Sequence, residues 1–162
     1  MEVKCTLQTT AFEDLSKQDQ EILNAAKQAA SRAFAPYSDF RVGAAARMSN
    51  GEIVIGSNQE NIAYPSGLCG ERVAMFSAGA QFPNEEVVTL ATVTPSDIAD
   101  PKGFAPCGSC RQVILESELR QSNPIRLLFQ VKDDVVLISE SAENLMPFSF
   151  RVKDDGLKRI KG

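Results

Sequence analysis

The sequence predicts an α/β fold of three layers, α-β-α, with helices covering both faces of a mixed five-stranded sheet. Three observations carry this expectation. Helical and strand-like segments alternate along the chain in the order α-β-β-α-β-α-β-β-α. The 162 residues fit one domain, 1–162 with a core at about 16–150, and show no repeat, linker or low-complexity stretch. A chain of this length buries roughly 68–70% of its unfolded surface, so neither a metal nor a disulfide is needed merely for folding.

Residues 1–12 read as polar and irregular. From Ser16 to about Phe34 the spacing of Ile22, Leu23, Ala26, Ala29, Ala30 and Ala33 places one apolar stripe on a helix. Ser16 is its expected N-cap, and Asp19 three residues later resembles a capping box with the shorter acid. Ala35 before Pro36 ends the helix, because the residue preceding proline is pushed out of the α region. Strands are predicted at Val42–Met48 and Glu52–Ser57, joined at Ser49-Asn50-Gly51, since Asn-Gly supplies the positive φ of a tight hairpin. Residues 58–68 read as a loop. A helix over about Cys69–Gly79, a strand at Val87–Val93 and a turn-rich loop to about Pro106 follow. A second central helix spans about Cys107–Gln121, and Ile125–Val131 and Val135–Ser139 are strands around the turn Lys132-Asp133-Asp134. Ser141 caps a short helix to Met146, with Asn144 behind it. Strands separated by helices should run parallel.

Seventeen Lys and Arg against 21 Asp and Glu give a net charge of −4, which disfavours a protein that grips nucleic acid through a basic face. The short basic run Lys158-Arg159-Ile160-Lys161 reads as a solvated tail. No apolar run approaches the length of a membrane span, so no membrane partner is expected. No charged segment followed by an apolar one opens the chain, so export is not expected. The most restrictive count is zero histidines. It removes Ser-His-Asp and Cys-His nucleophiles and every metal site built on imidazole. Carboxylate, thiolate, amine, hydroxyl and metal chemistry remain.

Four cysteines are therefore informative. Cys107-Gly108-Ser109-Cys110 alone has three readings: a redox dithiol, half of a structural zinc site, or two idle buried thiols. Cys69-Gly70-Glu71-Arg72 changes the context, because Cys69 also opens a predicted helix. Helix N-termini stabilise thiolates, and three thiolates leave the fourth tetrahedral position of zinc open, as catalysis requires. Zinc acidifies a bound water, and Glu71, two residues after the first ligand, is placed to take its proton. Cys5 reads as an ordinary thiol near the start of the chain.

Cys69-Gly70-Glu71 with Pro106-Cys107-Gly108-Ser109-Cys110 matches the zinc nucleoside deaminase signature, with cysteine in place of its histidine. More specifically, the sequence resembles cytidine deaminases of the small, three-cysteine, homotetrameric type. Pro36 through Ala45, Asn58 through Pro65 and Cys107 through Gln112 add to the match, in family order over about residues 20–150. The resemblance implies a cytidine deaminase-like fold and one zinc per chain held by Cys69, Cys107 and Cys110. It implies hydrolytic deamination of the nucleosides cytidine and 2′-deoxycytidine in cytoplasmic pyrimidine salvage, by a homotetramer whose sites are completed across subunits. Glu71 would shuttle protons, and the backbone N–H of Gly70 would meet the base carbonyl; the family usually has alanine there. Arg72 would hydrogen-bond a thiolate and offset the net negative charge of three thiolates on a dication, with Gln112 also behind the ligands. Asn58 and Glu60 would hold the ribose hydroxyl, Phe40 would pack on the pyrimidine, Tyr64 would support the pocket, and Phe150 would reach a neighbouring subunit's site. The loop at 95–105 looks longer than the family's, and Gln59 replaces an apolar residue. Two alternatives fit the same motifs: a deaminase of another small molecule such as blasticidin S, and a non-catalytic zinc-binding assembly protein. Glu71 argues against the second, which would not need it.

Overall fold

The computed structural model describes residues 2–150; the basic run at 158–161 lies outside them. The first helix, α1 (Lys17–Ala30), begins as its sequence dictates, with the Asp19 N–H donating to Ser16 Oγ at 3.1 Å. The reciprocal half of the capping box is not made. Asp19 instead ion-pairs with Arg126 at 2.7 Å, which ties the helix start to β5 (Arg126–Val131). The helix also ends at Ala30, short of Phe34, because Phe34 is drawn into a bridge with Gln59. There the Phe34 N–H donates to the Asn58 carbonyl at 3.0 Å, and the Glu60 N–H donates to the Phe34 carbonyl at 2.8 Å.

The apolar face of α1 (Ile22, Leu23, Ala26) covers one side of the sheet, against Ala45, Ala91, Val93, Leu128, Val136 and Ile138. Helices α2 (Gly70–Gln81), α3 (Gly108–Leu119) and α4 (Ala142–Leu145) bury Ala74, Met75, Ile114, Leu115 and Leu145 against the other side. The layers are those the sequence predicts. The remaining strands are β1 (Gln8–Thr10), β2 (Gly43–Met48), β3 (Ile53–Ser57), β4 (Val87–Thr94) and β6 (Val136–Ser139), in the spatial order β1-β6-β5-β4-β2-β3.

The sheet therefore has six strands among the described residues, not five. The additional strand, β1, pairs antiparallel with the edge of β6 through Gln8, Thr9 and Thr10. Its residues are polar and mostly exposed, so no alternation of apolar side chains marks it in the sequence. Backbone hydrogen bonding to a free edge creates this strand, and side-chain burial contributes little.

Strand β4 and strand β5, joined by α3, pair in parallel as anticipated. Strands β3 and β4, joined by α2, also run the same way, but β2 lies between them antiparallel to both. Both α2 and α3 consequently start from the carboxyl ends of strands that point in one direction. Their N-termini open side by side at that end of the sheet, where ligands of α/β folds gather.

The separation of α2 from the sheet is set at Gly56. A Cβ there would stand 2.4 Å from the Ala74 nitrogen and 2.7 Å from the Gly70 carbonyl oxygen, both backbone atoms of α2. Only glycine allows this approach, and any larger residue must push away the helix that follows Cys69. Gly56→Ala should lower stability by about 1–3 kcal/mol, the usual cost of overpacking, and weaken zinc retention. Urea unfolding and metal content check this; unchanged stability would mean that α2 yields without strain.

Candidate active site

Cys69 is the N-cap of α2, Cys107 is the N-cap of α3, and Cys110 lies in the first turn of α3. Neither cap residue uses its side chain to bond the helix backbone, so both sulfurs remain available. The three Sγ atoms lie within 4.8 Å of one another, with Cys69 to Cys107 at 3.9 Å and Cys107 to Cys110 at 3.5 Å. Tetrahedral zinc with Zn–S bonds of about 2.3 Å places its sulfurs roughly 3.8 Å apart, so the donor set fits that ion. Cys110 is buried in the core, Cys69 is half-buried and Cys107 is exposed.

Electrostatics favour an anionic sulfur at Cys69. A hydrogen bond from the Cys110 thiol, helped by Arg72, holds Cys69 down at about 5, while that same bond and burial push Cys110 up. Arg72 Nη2 donates to Cys69 Sγ at 3.9 Å and to the Gly67 carbonyl at 3.3 Å. Its guanidinium thus faces the cluster, as the resemblance implies. Helix-terminal N–H groups add further positive potential to the same sulfurs.

Glu71 follows Cys69 by two residues and is only 5% exposed. Burial raises its pKa to about 7, so near neutrality the carboxyl can both accept and release a proton. It lines a cleft of about 470 Å³ with Phe40, Asn58, Cys69 and Cys107, to which the 95–105 loop contributes Ile98, Asp100 and Phe104. Ile98, Asp100 and Phe104 carry no motif, and only the position of that loop just before Cys107 hints at their place. A neighbouring cavity of about 520 Å³ is lined by Tyr37, Ser38, Glu60, Tyr64 and Arg72. Asn58 and Cys69 border both, so they form the partition between them.

Asn58 and Glu60 are occupied differently from a simple sugar-binding pair. Asn58 Nδ2 donates to the Phe40 carbonyl at 2.8 Å, and Asn58 Oδ1 accepts the Val42 N–H at 2.8 Å. One N–H and one lone pair of the amide stay free for a ligand. Glu60 Oε2 accepts the backbone N–H of Tyr37 at 2.9 Å and of Ser38 at 3.3 Å, and Glu60 Oε1 accepts the Ser38 hydroxyl. These bonds, the Ser38 hydroxyl foremost, lower the Glu60 pKa and keep it a carboxylate. The Ser38 oxygen in turn accepts the Phe40 N–H at 3.0 Å. Both residues therefore fasten the 37–42 segment that carries Phe40 into the cleft. Ser38, within the Pro36–Ala45 segment, thus links Glu60 to Phe40, a contact for which the sequence carries no separate signal.

The other predicted residues fall at varied distances from the centre. Gly70 sits where a Cβ would come 3.0 Å from the carbonyl oxygen of Val42, just ahead of β2, a tight contact that a small shift relieves for alanine. Tyr64, 74% exposed, packs edge-on against Tyr37 with ring centroids 6.1 Å apart. Gln112 is half-buried on α3 and lines neither cavity. Phe150 is 79% exposed and likewise lines neither.

Residues 16–123 match the family model described as the cytidine and deoxycytidylate deaminase zinc-binding region. The chain belongs to this family. It is 36% identical over 135 residues to a cytidine deaminase of Halalkalibacterium halodurans, a match covering 83% of this chain and 96% of that one. It is 42% identical over 109 residues to a cytidine deaminase of Mycobacterium tuberculosis, covering 62% and 74% respectively. The crystal structure of cytidine deaminase from Burkholderia pseudomallei aligns with a TM-score of 0.70 at 32% identity, covering 84% of this chain and all of that one. The deaminase fold and a zinc cofactor are thereby established for this family member, and Cys69, Cys107 and Cys110 can hold the ion.

Arg72→Ala should leave every sulfur in place while removing the charge that faces Cys69. Loss of such an outer partner typically lowers metal affinity or activity by roughly 10–100-fold. Chelator competition and turnover measure both, and values equal to wild type would make Arg72 a helix-surface residue.

Proposed function

We propose that this chain hydrolyses the exocyclic amine of cytidine and 2′-deoxycytidine, giving the corresponding uridines and ammonia. The observation that carries the reading is the buried Glu71 carboxyl in one cleft with Cys69 and Cys107. A zinc site kept only for structure has no use for a proton-transfer group in a substrate-sized cleft. The similarity to named cytidine deaminases supplies the substrate class.

Cys69, Cys107 and Cys110 would hold the zinc, which when bound supplies an acidified water. Glu71 takes one proton from the attacking water and delivers it to the ring nitrogen as the new C–O bond forms. It then carries the remaining proton of the added hydroxyl to the exocyclic amine, and the C–N bond breaks to leave the carbonyl and release ammonia. A carboxyl titrating near neutrality suits both directions of that transfer. Phe40 packs against the pyrimidine, and the Gly70 N–H meets its carbonyl. Asn58 offers its remaining N–H and lone pair to the sugar, and Glu60 offers a carboxylate to the ribose hydroxyl from the adjoining cavity. Tyr64 supports that cavity, and Gln112 lies behind the ligands. The whole chain acts as one domain in cytoplasmic pyrimidine salvage. Phe148 and Phe150, both more than 70% exposed after α4, favour a homotetramer in which Phe150 completes a neighbour's site. No helix among the described residues is long and apolar enough to cross a membrane.

Loss of cytidine absorbance in the ultraviolet, with cytosine, adenosine and blasticidin S in parallel, tests the substrate assignment. Turnover of blasticidin S in preference to cytidine would replace it. Glu71→Gln should retain zinc and fold while losing about 10²–10⁴ in rate, the usual worth of general acid–base catalysis. Near-normal turnover would assign the proton transfer to another group.

Glu60→Ala separates two roles of one residue. Loosening of the 37–42 turn would cut activity on cytidine and on free cytosine alike. Sugar binding adds a loss specific to cytidine, because only the nucleoside presents a hydroxyl to this carboxylate. The expected outcome is a steeper fall with cytidine than with cytosine; equal losses would confine Glu60 to the turn.

A further inference from the structure

Of the three sulfurs, that of Cys107 is the least secured by packing: Cys110 is fully buried, and Cys69 is half-buried beside Arg72, whereas Cys107 is exposed. An N-cap residue ordinarily anchors itself by bonding its side chain to the helix backbone, and Cys107 makes no such bond. Something else must set its backbone angles.

Arg111, one turn along α3, bonds both peptide units that flank Cys107. Its backbone N–H donates to the Cys107 carbonyl at 2.9 Å, in the ordinary helical pattern. Its side-chain Nε donates to the Pro106 carbonyl at 2.7 Å. The first bond holds the Cys107–Gly108 peptide and the second holds the Pro106–Cys107 peptide, so φ and ψ of Cys107 are both defined by one residue. Arg111 Nη1 reaches on to the carbonyl of Leu145, the last residue of α4, at 3.2 Å. The α4 helix is itself anchored, since Asn144 Nδ2 donates to the Thr6 carbonyl at 2.8 Å and Asn144 Oδ1 accepts the Thr6 N–H at 3.0 Å.

We propose that Arg111 is a positioning residue for the metal centre, bracing Cys107 against the end of α4 so that its sulfur is preorganised for zinc. The proposal rests on the reading of Cys69, Cys107 and Cys110 as the zinc ligands. The planar guanidinium is required because one side chain must serve two carbonyls in different directions. A lysine keeps the charge, but its single nitrogen cannot occupy both the Nε and the Nη1 positions from which Arg111 makes the two bonds.

The test compares Arg111→Lys and Arg111→Gln with wild type and with Arg120→Ala, an exposed arginine of the same region whose bonds are local to Glu116 and Ser117. Zinc affinity is read by chelator competition, and the cobalt(II)-loaded proteins are compared by their sulfur-to-metal charge-transfer absorption. Both Arg111 variants should bind zinc roughly 10–100-fold more weakly and show a weakened or shifted cobalt band, while Arg120→Ala matches wild type. With zinc in excess, turnover should recover in the Lys variant with KM for cytidine little changed. Folded variants that bind zinc as tightly as wild type would overturn the proposal. So would variants that fail to fold even with excess zinc, because positioning leaves the fold standing. Failure of wild type to deaminate cytidine would overturn the functional reading alone, since the zinc comparison does not depend on turnover.

Discussion

The site depends on one constraint, which is that two helices must begin side by side at the same end of one sheet. Strands β3 and β4 run in the same direction with β2 between them, and α2 and α3 start beyond their carboxyl ends. That placement brings Cys69 within 3.9 Å of Cys107 although they stand far apart in the chain. It also collects the positive ends of two helices where thiolate charge must be tolerated. Arg72 adds a full charge at Cys69, so the cluster has compensation built in from the backbone and from one side chain. Gly56 matters because it allows α2 to approach closely enough for this arrangement.

Around the thiol cluster the cleft is held together in two ways. Its floor is packed: Cys110 and Glu71 are buried, and Met75, Ile114 and Leu115 lie in the core beneath them. Its wall is hydrogen-bonded, with Asn58 gripping the backbone at Phe40 and Val42, and Glu60 gripping it at Tyr37 and Ser38. A packed floor gives Glu71 the desolvation that brings its pKa near neutrality. A hydrogen-bonded wall keeps polar groups facing solvent, where a sugar can exchange partners with them at modest cost. In the proposed reading the two regions divide the chemistry, with proton transfer in the dry part and recognition of hydroxyls in the wet part.

Much of this was legible from local signals. Apolar periodicity marks α1, Ser16 and Ser141 mark helix starts that the structure caps as expected, and Gly51 takes the positive φ of the hairpin. The three cysteines and Glu71 are legible because metal and acid–base chemistry demand particular side chains, and a chain without histidine has few to offer. Features that arise from long-range pairing leave no such trace. The β1 strand exists because β6 presents an edge, Asp19 turns from its capping box to Arg126, and Phe34 leaves the helix pattern for Gln59. The backbone roles of Asn58, Glu60 and Arg111 are of the same kind, since a side chain that bonds a distant backbone N–H or carbonyl looks in sequence like any other polar residue.

The sequence by itself determined the elements, the ligand types and the chemistry they permit, because these follow from periodicity, caps and functional groups that neighbouring residues display. Only the tertiary structure decided the sixth strand, the division into two cavities that meet at Asn58 and Cys69, and which polar side chains support the backbone. Those depend on which surfaces meet after the chain has crossed the sheet, and hydrogen-bond partners more than a hundred residues apart, such as Asp19 and Arg126, share no local pattern that could announce them.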